Sequence, residues 1–141
     1  MTVEPDVLDT LERLGADPAS GVYLQPPAAD NLLEKLQADA RASLGEEVPA
    51  AFVALLRITN GLQVNNAIFK KAEHLVLENL DVPRPEIIVL GDQGNVEEYV
   101  FDRRDRRFHM IKMGYPDEQL ESFDTFERLL FAVMKNQQVL P

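Results

Sequence analysis

The chain contains no cysteine. That excludes disulfides, thiolate catalysis and cysteine-ligated zinc, and nothing then demands an oxidising compartment. Histidine occurs only as His74 and His109. Each falls in a strand-like segment, with no second histidine or paired carboxylate at ligand spacing. Both are expected to be half-buried strand residues rather than metal ligands. No stretch approaches the roughly 20 apolar residues needed to span a bilayer. The opening MTVEPDVLDT is acidic where a signal peptide would be basic, so the expected location is the cytoplasm. Cations are also scarce: 14 Lys and Arg stand against 24 Asp and Glu, a net charge of −10. Phosphate binding needs a local excess of cations, so nucleic acid is not the expected partner. The one basic cluster, Arg103, Arg104, Arg106 and Arg107, is broken by Asp105 and preceded by Asp102. It reads as a solvated hairpin tip. An acidic surface favours a basic protein partner instead.

What is present suits one globular domain of 141 residues, long enough to bury a core without covalent staples. Helical signals dominate up to about Gly61. Pro5 and Asp6 start a short helix with Val7, Leu8, Leu11 and Leu14 at helical spacing and Gly15 as its stop. Residues 16–27 are rich in Pro, Gly and Ala and read as a connection. A second helix runs from about Asp30, expected as its N-cap, with Leu33, Leu36, Ala40 and Leu44 on one face and Gly45 ending it. Pro49 fits the first turn of a third helix, with Phe52, Leu55, Leu56 and Thr59 sharing one side; Asn60-Gly61 stops it, because both tolerate positive φ.

Strand signals follow at His74–Leu77, Glu86–Leu90, Val96–Phe101 and Phe108–Met113. The DRRDRR stretch between the last two predicts an antiparallel hairpin. A final helix starts near Ser122 or Asp124 and buries Phe123, Phe126, Leu130 and Val133. Helices, a meander and a closing helix make an α+β fold: N-terminal helices, an antiparallel sheet, and a C-terminal helix packed on it.

No chemistry assembles itself along the chain. A phosphate loop needs a strand, a glycine-rich turn and a helix N-terminus. Gly91-Asp92-Gln93-Gly94-Asn95 is followed by VEEYVFD, a strand, so that reading fails. Gly91 and Gly94 are expected to permit tight backbone geometry, and Asp92 either braces that turn or touches a partner. Ser20, Ser43 and Ser122 lack the context of a nucleophile elbow. Glu97 and Glu98 point to opposite faces of a strand and cannot act together on one substrate. The expected protein is not an enzyme, and no cofactor or metal is implied.

The order of motifs resembles the SUKH superfamily, the Smi/Knr-type domain. LGEEVPAAFVALLRITNGL (Leu44–Leu62) resembles its helix opened by Pro and closed by Asn-Gly. IIVLGDQGN and EEYVFD resemble its next two strands, and SFDTFERLL (Ser122–Leu130) the start of its last helix. The match covers roughly residues 28–135 and leaves 1–27 as an N-terminal extension. On this resemblance Gly45, Pro49, Asn60, Gly61, Gly91, Gly94, Ser122, Phe123 and Phe126 are structural positions. The resemblance implies a non-enzymatic binding domain. Bacterial members are largely immunity proteins that neutralise toxins, many of them nucleases; eukaryotic members resemble regulators of cell-wall synthesis. The expected interface is an acidic sheet face carrying Asp92, Glu97, Glu98 and Asp102, with Glu98 facing the partner and Tyr99 and Phe101 facing the core.

Overall fold

The computed structural model describes residues 6–140, and it is α+β. Helix α1 (Val7–Gly15) begins where the Asp6 carboxylate accepts the amides of Leu8 and Asp9. Pro5, also expected at this start, lies outside the described residues. Strand β1 (Val22–Leu24) follows, inside the stretch expected to be a bare connection. Helix α2 (Asp30–Leu44) buries Leu33, Leu36 and Ala40 and ends at Gly45, whose φ of 89° is left-handed as expected. Asp30 is its first residue rather than its cap. Pro49 stands at the N-cap of α3 (Ala50–Leu56), one position ahead of the first turn.

Asn60 and Gly61 do not stop α3, which has already ended at Leu56. Gly61 is left-handed (φ 95°) but leads into β2 (Leu62–Val64). Asn60 instead serves a later helix. After β3 (Ala67–Phe69) comes α4 (Ala72–Asp81), and the Asn60 carboxamide accepts the Ala72 amide at 2.8 Å while donating to Glu73. His74–Leu77 therefore lies in a helix, not a strand. Its apolar run looked extended, but the remote cap and burial of Leu75 and Val76 hold it helical. Strands β4 (Ile87–Gln93), β5 (Glu97–Asp102), β6 (Arg107–Lys112) and β7 (Tyr115–Phe123) then lead to α5 (Phe126–Asn136). Ser122 and Phe123 belong to β7; the cap of α5 is Thr125, whose hydroxyl accepts the Arg128 amide.

The seven strands pair antiparallel in chain order, each with its sequence neighbour. Buried residues of all five helices form one core with one face of the sheet. Phe126 sits at its centre, with ring centroids 5.4 Å from Phe52 and 5.8 Å from both Phe69 and Phe108. Tyr99 stacks on Phe69. The opposite face holds a small second cluster built only from strands: Ile87, Val89, Val100 and Ile111. This explains why β4 and β5 read as nearly continuous apolar runs, since both faces are buried there. The β3 edge meets β4 at Ile68–Asp92 and Phe69–Gly91, and the Lys70 amide just beyond β3 donates to the Leu90 carbonyl at 2.9 Å. Beyond that point Asn79 of α4 takes over, donating to the Val89 carbonyl and accepting the Val89 amide.

Phe126→Ala is expected to cost roughly 3–5 kcal/mol, the range for removing a buried aromatic ring. Urea unfolding followed by circular dichroism checks it; an unchanged midpoint would misplace the centre of the core.

Candidate protein-binding face

Register carries one row of side chains across the face that points away from the main core. Tyr23 pairs with Gln63, Gln63 with Ile68, Ile68 with Asp92, and Asp92 with Glu98. Tyr23 and Ile68 remain 50% and 52% exposed. Two large exposed side chains on one open sheet face, with only Gln63 between them in the row, are the kind of surface that partners cover. Beside them lies a cleft of about 300 Å³ whose lining includes Ile68, Lys70, His74, Glu78 and Asp92.

Asp92 sits at the junction of row and cleft. Burial raises its carboxyl above the usual carboxylate range, and the neighbouring Glu98 and Glu78 charges add to this. The Lys70 ammonium and the Gly94 amide oppose the shift. Lys70 is itself held by Glu78 at 3.0 Å. Gly91, the residue before, allows this arrangement. A Cβ there would lie 2.5 Å from the Ile68 carbonyl oxygen and 3.0 Å from the Phe69 Cα. GDQGN is thus mostly strand: Gly91, Asp92 and Gln93 end β4, and only the left-handed Gly94 (φ 52°) and Asn95 turn the chain.

The other expected interface carboxylates are differently placed. Glu97 lies on the core side of β5 and accepts the Tyr99 hydroxyl at 3.1 Å. Burial and the Glu97 charge hold that phenol far above its ordinary range, so it stays protonated. Glu98 does face away from Tyr99 and Phe101, but it is only 5% exposed. Arg84 grips both its oxygens at 2.6 Å, and the Gly114 amide adds a third bond at 3.0 Å. Burial disfavours its ionisation, yet these partners outweigh burial and its carboxyl lies below the ordinary range. Asp102, 2% exposed, is likewise occupied by the Arg104 amide and guanidinium. Burial opposes its ionisation too, and Arg104 overcomes it. The acidic face expected from Glu98 and Asp102 is therefore corrected: both are interior partners of arginines, and of the four only Asp92 belongs to the exposed row.

Nor is the arginine cluster simply solvated. Arg103 donates to the Leu44 carbonyl at the end of α2, Arg106 pairs with Glu46, and Arg107 with Asp124. His109, expected to lack a carboxylate partner, has one four residues back. Its Nε2 lies 2.7 Å from Asp105 and its Nδ1 2.6 Å from the Ser122 hydroxyl. Hydroxyl, imidazole and carboxylate in line resemble an acyl-transfer relay. At 1% exposure, however, the imidazole is closed to substrate, and the chain of bonds ties the 103–106 turn to β6 and β7. Donor atoms of Asp102, Asp105 and His109 also lie within 4.8 Å of one another, as a metal would require. The Arg104 guanidinium already neutralises Asp102 there.

Sequence reasoning missed Tyr23, Gln63, Ile68 and Lys70, because three-residue strands carry too little alternation to be seen. Arg84, between Pro83 and Pro85, gave no signal of its buried partner. Compared with known protein families and curated proteins, the chain matches no family model and no curated protein. No helix among the described residues is long and apolar enough to cross a membrane.

Arg84→Met leaves the Glu98 carboxylate buried without its cation. The expected cost is about 3 kcal/mol at pH 7, the low end for a broken buried pair because Arg84 keeps 19% of its side chain exposed. Since the folded Glu98 carboxyl lies below its unfolded value, its stabilisation holds above that value, about pH 4.3, and fades as pH falls through the folded one. The deficit should shrink in acid; a constant deficit would contradict the assignment. Asp92 has the opposite sign. Its raised carboxyl lowers stability as pH rises through the folded value, so Asp92→Asn should raise Tm at pH 7 and lose that gain in acid.

Proposed function

We propose that the chain is a non-enzymatic protein-binding domain that neutralises a toxin, suiting best a cationic nuclease domain, by docking it on the open sheet face. The observation that carries this reading is the exposed pair Tyr23 and Ile68, set beside the Asp92 cleft on the face opposite the main core. An aromatic and an aliphatic anchor with a polar surround are what a docking surface needs. Charge supports a basic occupant. Lys35, Arg41, Lys70, Arg84, Arg103, Arg104, Arg106, Arg107 and Lys112 are paired with carboxylates, so the surplus left on the surface is negative. The resemblance of the Leu44–Leu62 and Ile87–Asp102 motifs to the SUKH pattern adds to the immunity reading. A regulator of the Smi/Knr type would use the same face without a toxin.

The test uses a cognate toxin domain, most simply one encoded beside this gene. Surface plasmon resonance should show association that slows as salt rises, because surplus charge acts mainly on encounter. Ile68→Asp, at an exposed position, should weaken binding about tenfold or more, with a circular dichroism melt confirming that the variant stays folded although its new carboxylate stands opposite Asp92. Unchanged affinity for that variant would remove the open face from the interface. If no neighbouring protein binds, the immunity reading gives way to the regulator.

A further inference from the structure

At the end of the sheet that carries the β2–β3 and β4–β5 turns lies a second groove, of about 540 Å³. Its lining consists of seven Asn or Gln residues and Tyr23, with no charged residue among them. In a chain that is 27% charged, an uncharged concave surface selects against ions. Phosphate, carboxylate and ammonium ligands would find no counter-charge there.

The groove is also braced. Asn65 and Asn66 form the two-residue turn between β2 and β3, and Gln137 follows α5. The Asn65 carboxamide donates to the Gln137 carbonyl at 2.6 Å, and the Asn66 amide donates to the Gln137 side chain at 3.1 Å. These bonds fix the turn against the end of the helix. Asn65 (φ 50°) and Gln138 (φ 63°) are two of the three non-glycine residues with left-handed backbone among the described residues. Such backbone persists where the surroundings impose it, and it concentrates at binding sites. The side chains of Asn66, Gln93 and Gln138 have no hydrogen-bond partner among the described residues, and nor does the Tyr23 hydroxyl. Each free carboxamide offers a carbonyl acceptor beside an NH₂ donor.

We infer that this groove binds a neutral saccharide. A sugar hydroxyl both donates and accepts, so neighbouring hydroxyls match a carboxamide edge in both roles. The half-exposed Tyr23 ring offers a flat apolar face for the C–H face of a pyranose. The base of a nucleotide could use the same edges, but the nucleotide's phosphate would meet an uncharged wall on a protein of net charge −10. This inference does not rest on the proposed protein partner: the groove shares Tyr23 with the proposed protein-binding face and Gln63 with its cleft, but Ile68 and Asp92 lie outside it.

The test is an array of neutral glycans probed with the full chain, followed by titration calorimetry on the best oligosaccharide. Saturable binding is expected. Tyr23→Ala should weaken it about tenfold, the scale of a lost stacking contact. Gln93→Ala and Asn66→Ala should each weaken it several-fold. Ile68→Asp should leave it unchanged, which separates this site from the protein-binding face. Circular dichroism melts confirm that each variant is folded. Absence of any saturable neutral glycan overturns the inference, as does affinity that survives Tyr23→Ala and Gln93→Ala together. Preference for an acidic or phosphorylated glycan over its neutral parent overturns it as well.

Discussion

The sheet depends on the missing Cβ of Gly91. The three short strands β1–β3 and the long meander β4–β7 are joined by two residue pairs, Ile68–Asp92 and Phe69–Gly91, and by the Lys70 amide donating to the Leu90 carbonyl. The join is close enough that any side chain at Gly91 would enter the Ile68 carbonyl. Everything on either side is placed by this contact. Phe69 comes to rest on Tyr99 and against Phe126, which links the short strands to the aromatic centre of the core. Ile68 and Asp92 are set side by side on the other face, which creates the exposed row. The bulge between Val89 and Gly91 follows from the same place, since Leu90 is the extra residue and turns into the core.

Charge is divided by the same geometry. A protein with ten surplus negative charges nonetheless buries two carboxylates in its sheet, Glu98 and Asp102. Each is matched by an arginine brought from a connection, Arg84 before β4 and Arg104 in the β5–β6 turn. Buried ion pairs contribute little net stability against apolar packing but make the wrong register costly. Here they pin the 82–86 segment and the 103–106 turn over the small second cluster. Asp92 is the exception: its nearest cation is shared with Glu78, so burial wins and its ionisation is disfavoured. A poorly satisfied carboxylate at the mouth of a cleft favours a cationic partner, and that is the physical link between fold and proposed function.

The elements with long periodic patterns were legible in the sequence. The α2 stripe, the Gly45 stop, the β5–β6 hairpin and the Phe126–Leu130–Val133 stripe stand where the pattern put them. β1, β2 and β3 were not legible, since three residues cannot display a period of two. β7 was missed for a different reason. It is an edge strand, exposed nearly throughout and rich in acid residues, so YPDEQLES shows no buried face. The HLVL run of α4 was misread because a helix held by a distant cap, Asn60, carries no local start signal. The candidate face suffered most. Charge type marked Asp92, Glu98 and Asp102 alike, but exposure separates them, and exposure depends on Arg84 and Arg104 arriving from elsewhere in the fold. The apolar anchors Tyr23 and Ile68 lie on the strands that could not be seen.

The joint between the two halves of the sheet is tested most directly by Gly91→Ala in a thermal and urea melt of the whole chain. One added methyl group must push β3 away from β4, so a loss of about 1–3 kcal/mol is expected, the scale of overpacking a close contact. A Gly91→Ala protein that melts with the wild type would show that the strands are not in close contact there, and the placement of the proposed binding face would fall with it.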